Sequence, residues 1–153
     1  MRLALLVKRH SIHSVRWANA LADRGHEVHL ISAERHGEPL NPEVTVHFLP
    51  FPPLIGFYAN ALALRRLLHL LEPDLMNAHF ASGYGTLARL CGFHPTVLSV
   101  WGSDVFDFPL KSRLHARLIG ANLSFADAVT STSEVMARQT RSLAPLEQVS
   151  VVP

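Results

Sequence analysis

Thr96-Val97-Leu98-Ser99-Val100-Trp101-Gly102-Ser103-Asp104 begins as a short apolar run and ends in a small, hydroxylated, acidic loop. Such a run suits a strand covered on both faces by helices, where the usual alternation with polar residues disappears. In a parallel α/β sheet, the loop leaving the carboxyl end of a strand is where ligands sit. One segment thus predicts both a fold class and the place of a site.

Working outward, strands and helices alternate along the whole chain. Leu3–Val7 is an apolar run bounded by charge and reads as the first strand. Ser11 or Ser14 could cap the helix that follows, in which Val15, Ala18, Leu21 and Ala22 recur at helical spacing until Gly25 supplies a left-handed terminus. Val28–Ile31 is the second strand. Val44, Val46 and Phe48 alternate with Thr45 and His47, the period of a strand with one wetter face, which suits a sheet edge. One helix is predicted from near Phe57 to Pro73, then a strand at Leu75–Phe80 and a short helix from Gly83 to Gly92. After the strand Thr96–Val100 come a helix over Leu110–Ala126, a strand at Ala128–Thr130, a helix from Ser133 to Leu143 and a last strand at Val149–Val152. Ser131-Thr132-Ser133-Glu134 has capping-box spacing. The alternation predicts a Rossmann-like, doubly wound parallel sheet of about seven strands with helices on both faces.

Composition narrows the partners. The 153 residues fit one domain. The formal charge is only +2, and the basic groups Lys8-Arg9, Arg65-Arg66 and Lys111 to Arg117 lack the interleaved aromatics of a nucleic-acid footprint. Nucleic acid is therefore not expected as a partner. Ten histidines invite a metal reading, but none has a recognised ligand arrangement, so no metal is expected. The single cysteine, Cys91, sits in an apolar helical stretch as a small hydrophobe and points to a reducing, cytoplasmic setting. No apolar run has the length of a signal peptide or membrane span, so the expectation is a soluble protein, at most peripheral to a membrane.

Candidate site residues follow from the topology. Lys8–Ser14 lies between the first strand and its helix, where backbone amides and the helix dipole favour an anion, with His13, Ser14 and Arg16 as side-chain donors. The plainer alternative has the serines capping and the cations solvated. His79 falls at the carboxyl end of the fourth strand, beside the expected reversal of strand order; it could serve a hydroxyl or phosphate, or merely bond a neighbouring backbone. Gly83 and Gly85 could open room for a ligand or relieve a tight turn. Trp101, Gly102, Ser103 and Asp104 end the fifth strand in the same crevice, where Gly102 permits close approach and Asp104 could accept from hydroxyls or cap the next turn. The apolar Pro50–Tyr58 connection could meet a lipid surface, helped by Arg65-Arg66, or fold over the sheet edge and complete the core; the second is the favoured expectation.

Thr96–Asp104, together with Arg16–Ser32 and its Gly25-His26-Glu27-Val28 turn, Asn77–Gly85 and Ala126–Ser133, resembles the N-terminal domain of family 4 glycosyltransferases. The four segments stand in the family's order and cover most of the chain. The resemblance implies one half of a GT-B architecture, in which two Rossmann-like domains face a cleft. Residues 1–153 would be the acceptor-side domain, with the donor-binding domain absent from the chain and the chain inactive alone. It also implies transfer of a sugar from a nucleotide-sugar donor to the hydroxyl of a glycan or lipid-linked acceptor with retention of configuration, without metal or cofactor. His79, Asp104 and His13 are then candidates for the chemistry. Ser14, Arg16, Gly83, Trp101, Gly102, Ser103 and Asp104 are candidates for substrate contact. Two departures stand out. Lys8–Ser14 lacks the family's frequent glycine pair, and Trp101 stands where many members carry histidine. A stand-alone binding module for a small anionic ligand or a partner, and an epimerase of the same two-domain architecture, are the other readings.

Overall fold

The computed structural model describes residues 1–153, and β1 (Arg2–Leu6), β2 (Glu27–Ser32), β3 (Thr45–Phe48), β4 (Leu75–His79), β5 (Thr96–Ser99), β6 (Ala128–Ser131) and β7 (Val149–Val151) form one sheet. All pairings are parallel, in the order β3-β2-β1-β4-β5-β6-β7. The apolar runs of the central strands have the expected cause. Ala4 and Leu6 join a large cluster with Leu64, Leu68, Leu87 and Ala88, while Leu5 and Val7 join a smaller one with Ala18 and Ala22. Successive residues of β1 thus feed opposite faces, and both faces are covered by helices. β3 is the edge strand as expected, but Phe48, expected on its drier face, is exposed.

The helices are α1 (Ile12–Ala22), α2 (Gly56–Ala59), α3 (Ala61–Leu71), α4 (Gly83–Cys91), α5 (Ser103–Phe106), α6 (Arg113–Phe125) and α7 (Glu134–Leu143), with a 3-10 turn at Phe108–Lys111. No helix is long and apolar enough to cross a membrane. Gly25 takes the left-handed conformation expected of it, with φ +78, and Cys91 is buried in the large cluster.

Local details depart from the sequence expectation in four places. Ser11 occupies the N-cap of α1 without a capping hydrogen bond, and Ser14 lies inside the helix, buried, so neither serine caps. The cap of α7 is Ser133, whose Oγ accepts from the Met136 amide, while Ser131 Oγ donates to the Ser133 carbonyl. The helix expected over Leu110–Ala126 begins only at Arg113, because Ser112 caps it through the His115 amide, and α5 forms in the loop after β5.

The fourth departure is the largest. The single helix expected from Phe57 is broken at Asn60, which is wholly buried; its side chain accepts from the Phe51 amide at 3.0 Å and donates to the Phe51 carbonyl at 2.8 Å. A polar side chain turned inward here closes the Pro50–Tyr58 connection into a fixed loop. That loop completes the core only in part, through Phe57 and the buried Gly56. Phe57 packs against Tyr84 with ring centroids 5.2 Å apart, but Leu54, Ile55 and Tyr58 stay in solvent. Asn60→Ala strands two backbone groups of Phe51 and is expected to cost about 1–2 kcal/mol in urea denaturation, with faster exchange of the Phe51 amide proton.

Candidate functional site

The strand order reverses between β1 and β4, so the connections leaving these two strands run to opposite sides and open a crevice at their carboxyl ends. Three elements supply its walls. The β1–α1 loop brings the first turn of α1, β4 ends in His79, and the backbone leaving β5 carries Trp101. Their rings form one stack: His13 lies over Trp101 with centroids 4.5 Å apart and 23° between planes, Trp101 meets His79 at 5.1 Å, and Trp17 presents its edge to His79 at 6.4 Å.

Within this stack, polar atoms are buried without partners. His79 has no exposed surface, and neither ring nitrogen makes a hydrogen bond. Ser14 Oγ and Trp101 Nε1 are equally unpaired. Ser14 lies beside His13 in the first turn of α1 and is wholly buried. Buried polar groups are nearly always satisfied, at a cost of about 1–3 kcal/mol each when they are not. His79 and Trp101 thus bring unpaired polar atoms together at the reversal point, with a third, Ser14 Oγ, in the adjoining first turn of α1. Desolvation, helped by His13, pushes His79 down from the ordinary 6.5 to about 3. Its imidazole is therefore neutral at physiological pH, with one donor and one acceptor nitrogen. The N-terminus of α1 adds amides with no side-chain cap and the positive end of the helix dipole. The backbone leaving the site is itself strained, with Phe80 at φ +72.

Residues 2–133 match the family model described as glycosyl transferase 4-like. The chain belongs to the glycosyl transferase 4-like family. No curated protein matches it by sequence. Among solved structures it is similar to sucrose-phosphate synthase from Thermosynechococcus elongatus, with TM-score 0.75 and 14% identity over 99% of this chain and 47% of the synthase chain. A second structure of that synthase matches with TM-score 0.75 and 15% identity, over 100% of this chain and 88% of the other. A structure described as a UDP-N-acetylglucosamine 2-epimerase from Listeria monocytogenes aligns with TM-score 0.58 and 13% identity, over 92% of this chain and 42% of that one. At such identities the likeness is one of fold. The chain spans less than half the length of the synthase and epimerase chains.

Within this glycosyl transferase 4-like domain the candidates from sequence divide by environment. His13, His79 and Trp101 are brought together by ring contacts, and Ser14 is buried next to His13 on α1. Arg16 is exposed on α1 and makes no ion pair, and Ser103 is exposed at the start of α5. Asp104 touches the cluster only from beneath. It is 2% exposed; Oδ2 accepts from the Ala81 amide at 2.7 Å, and Oδ1 from the Trp101 and Gly102 amides at 3.1 and 2.9 Å. Burial lifts its carboxyl above the ordinary value, with the backbone amides of Ala81, Trp101, Gly102 and Asp104 itself opposing. Asp104 therefore ties the loops after β4 and β5 together, holding Trp101 in place, in the manner of its capping alternative. Gly102, at φ +118, supplies an amide to that knot in a conformation that favours glycine. The space at Gly83 goes to the Phe57 ring, which an added Cβ would meet at 2.5 Å, and at Gly85 the nearest atom is the Phe80 carbonyl oxygen at 3.1 Å. Neither glycine opens onto a ligand.

A second depression, of about 410 Å³, lies at the carboxyl ends of β2 and β3, with Glu34 to His36, His10 and the prolines Pro50, Pro52 and Pro53 on its walls. His10 Nδ1 is 2.8 Å from Glu34, and the Arg9 and Arg35 guanidinium groups lie 5.5 and 5.6 Å from the centroid of the Phe48 ring. Sequence reading passes over Glu34, Arg35 and His36. The only available signal is their place directly after a strand in an α/β chain.

Proposed function

We propose that this chain is the acceptor-side domain of a retaining glycosyltransferase that moves a sugar from a nucleotide-sugar donor to the hydroxyl of a glycan or lipid-linked acceptor. The observation that carries the reading is the contact of His79 with Trp101, both holding unpaired buried nitrogens, beside the uncapped α1 terminus, in a member of the glycosyl transferase 4-like family. In such a transfer the C1–O bond to the diphosphate breaks, a C1–O bond to the acceptor forms and the acceptor hydroxyl's proton passes to a departing phosphate oxygen, on which negative charge gathers as the bond breaks. Fixed donors aimed at that charge lower the barrier, and those of this chain are the α1 amides and the Trp101 indole N–H. Neutral His79 can accept from an acceptor hydroxyl through one nitrogen and donate through the other. With a pKa near 3 it is too weak a base to hold the proton, so it orients the hydroxyl. No step invokes a metal or other cofactor.

The nucleotide is assigned to a second domain, consistent with the share of the synthase chain that this one spans. The chain alone is accordingly inactive. In calorimetry it is expected to bind UDP- and GDP-sugars with dissociation constants on the order of 1 mM or weaker, because one wall of the cleft contributes few contacts. Micromolar binding of a nucleotide sugar would place the donor site here and overturn the division of labour. Micromolar binding of inorganic phosphate by the chain alone would instead favour a stand-alone anion-binding module.

A further inference from the structure

The Pro50–Tyr58 connection holds apolar side chains in solvent by means of buried anchors. Leu54 is 78% exposed, Ile55 68%, Tyr58 61% and, at the start of α3, Leu62 57%. Leu54 also sits at φ +77, in the left-handed region that residues with a Cβ avoid. Neither packing nor backbone preference accounts for a leucine there. The loop is fixed: Asn60 holds Phe51 through two hydrogen bonds, Gly56 approaches the Phe51 carbonyl so closely that an added Cβ would lie 2.5 Å from its oxygen, and Phe57 is seated on Tyr84. A rigid, strained tip that displays leucine and isoleucine to water points to a surface that receives them.

Charge says which surface. From Val44 to Leu71 the chain carries Arg65, Arg66, His47 and His69 and no acidic residue, and Glu34, the acid beside Pro50, Pro52 and Pro53, is engaged by His10 and flanked by Arg35. Arg65 is occupied by the Cys91 carbonyl, whereas Arg66 is exposed one turn beyond Leu62. Two copies meeting through this face would bring like charges together. An anionic lipid surface instead takes the apolar tip into its headgroup–acyl boundary and the guanidinium among its phosphates.

We propose that Leu54 and Ile55, with Tyr58 and Leu62, dock the protein on an anionic bilayer. Phe57 packs from the same loop against Tyr84 and Gly83, at the start of the helix that follows His79, so docking sets the crevice close to the lipid surface. The proposal does not rest on the transferase reading and is tested without any sugar. The 153-residue chain is co-sedimented with vesicles of phosphatidylcholine alone and with added phosphatidylglycerol, at low and high salt. Binding is expected to the phosphatidylglycerol vesicles at low salt and to weaken about fivefold for Arg66→Gln. Leu54→Asn with Ile55→Ser is expected to weaken it by roughly tenfold or more. Because asparagine tolerates a left-handed backbone, that double variant should melt no lower than the wild type, which separates lost docking from lost folding. Failure of the wild type to bind phosphatidylglycerol vesicles at low salt overturns the proposal. So does equal binding to neutral vesicles, undiminished binding by the double variant, or self-association that the double variant abolishes in the absence of lipid.

Discussion

Between pH 6.5 and pH 3, His79 alone is expected to remove about 4–5 kcal/mol of stability, and a His79→Phe variant should lose none of that share. The imidazole is buried, has no hydrogen-bond partner and feels the positive potential of His13, so the folded state resists its protonation. The unfolded chain protonates it near the ordinary 6.5 and the folded chain only near 3. A folded value below the unfolded one means that the stability is fully present above about pH 6.5 and drains away as pH falls toward 3. Other groups titrate in the same interval. Asp127, held below the usual carboxylate range chiefly by the Thr96 amide, loses its contribution toward acid. Asp104, raised by burial, acts in the opposite sense: its contribution is present at the acid end and lost as pH rises through its folded value. Both cancel when variant and wild type are compared at each pH. Phenylalanine strands no polar atom but has the larger ring, so at pH 7 the relief of two unpaired nitrogens offsets overpacking and the variant should stay within about 2 kcal/mol of the wild type. Urea denaturation at pH 7, 5 and 3.5 reads the difference, and parallel pH profiles would sink the account of His79 as a neutral, desolvated ring.

Asp104→Ala is expected to cost about 3–5 kcal/mol, because it leaves the amides of Ala81, Trp101 and Gly102 without an acceptor in the interior. Asp104→Asn should cost less. Its remaining oxygen still accepts on one side, while its NH2 group meets an amide donor on the other. Both variants should also release Trp101, since the side chain they alter positions that residue's backbone. The check is twofold: a drop in the denaturation midpoint, and a red shift or change in quenching of indole fluorescence under native conditions. A stable Asp104→Ala protein with unaltered fluorescence would mean that the carboxylate does not tie the two loops together.

The strands and their parallel order were legible because they rest on local pattern. Leu3–Val7 and Thr96–Val100 are apolar runs, and Val44–Phe48 alternates in sequence, which distinguishes central from edge strands. Helix boundaries were legible only where the cap is local. Gly25 carries its own conformational signal, whereas the choice between Ser131 and Ser133 depends on which hydroxyl the backbone of the next turn can reach. The break at Asn60 was invisible, since its partner Phe51 is nine residues away and asparagine is not forbidden in a helix.

By itself the chain's order of residues determined a doubly wound sheet and a crevice at the carboxyl ends of β1, β4 and β5, because strand register and the α/β crossover rule put it there; His13, Ser14, His79 and Trp101 were candidates for that crevice on the same footing as Arg16, Gly83, Gly102, Ser103 and Asp104. Only the tertiary structure decided which of the polar candidates are spent and which are free. Asp104 is consumed by an amide 23 residues away, Gly83 yields its space to Phe57, and Leu54 is left in water. Whether a buried group is satisfied depends on atoms brought near by folding, and no spacing along the chain records their distance.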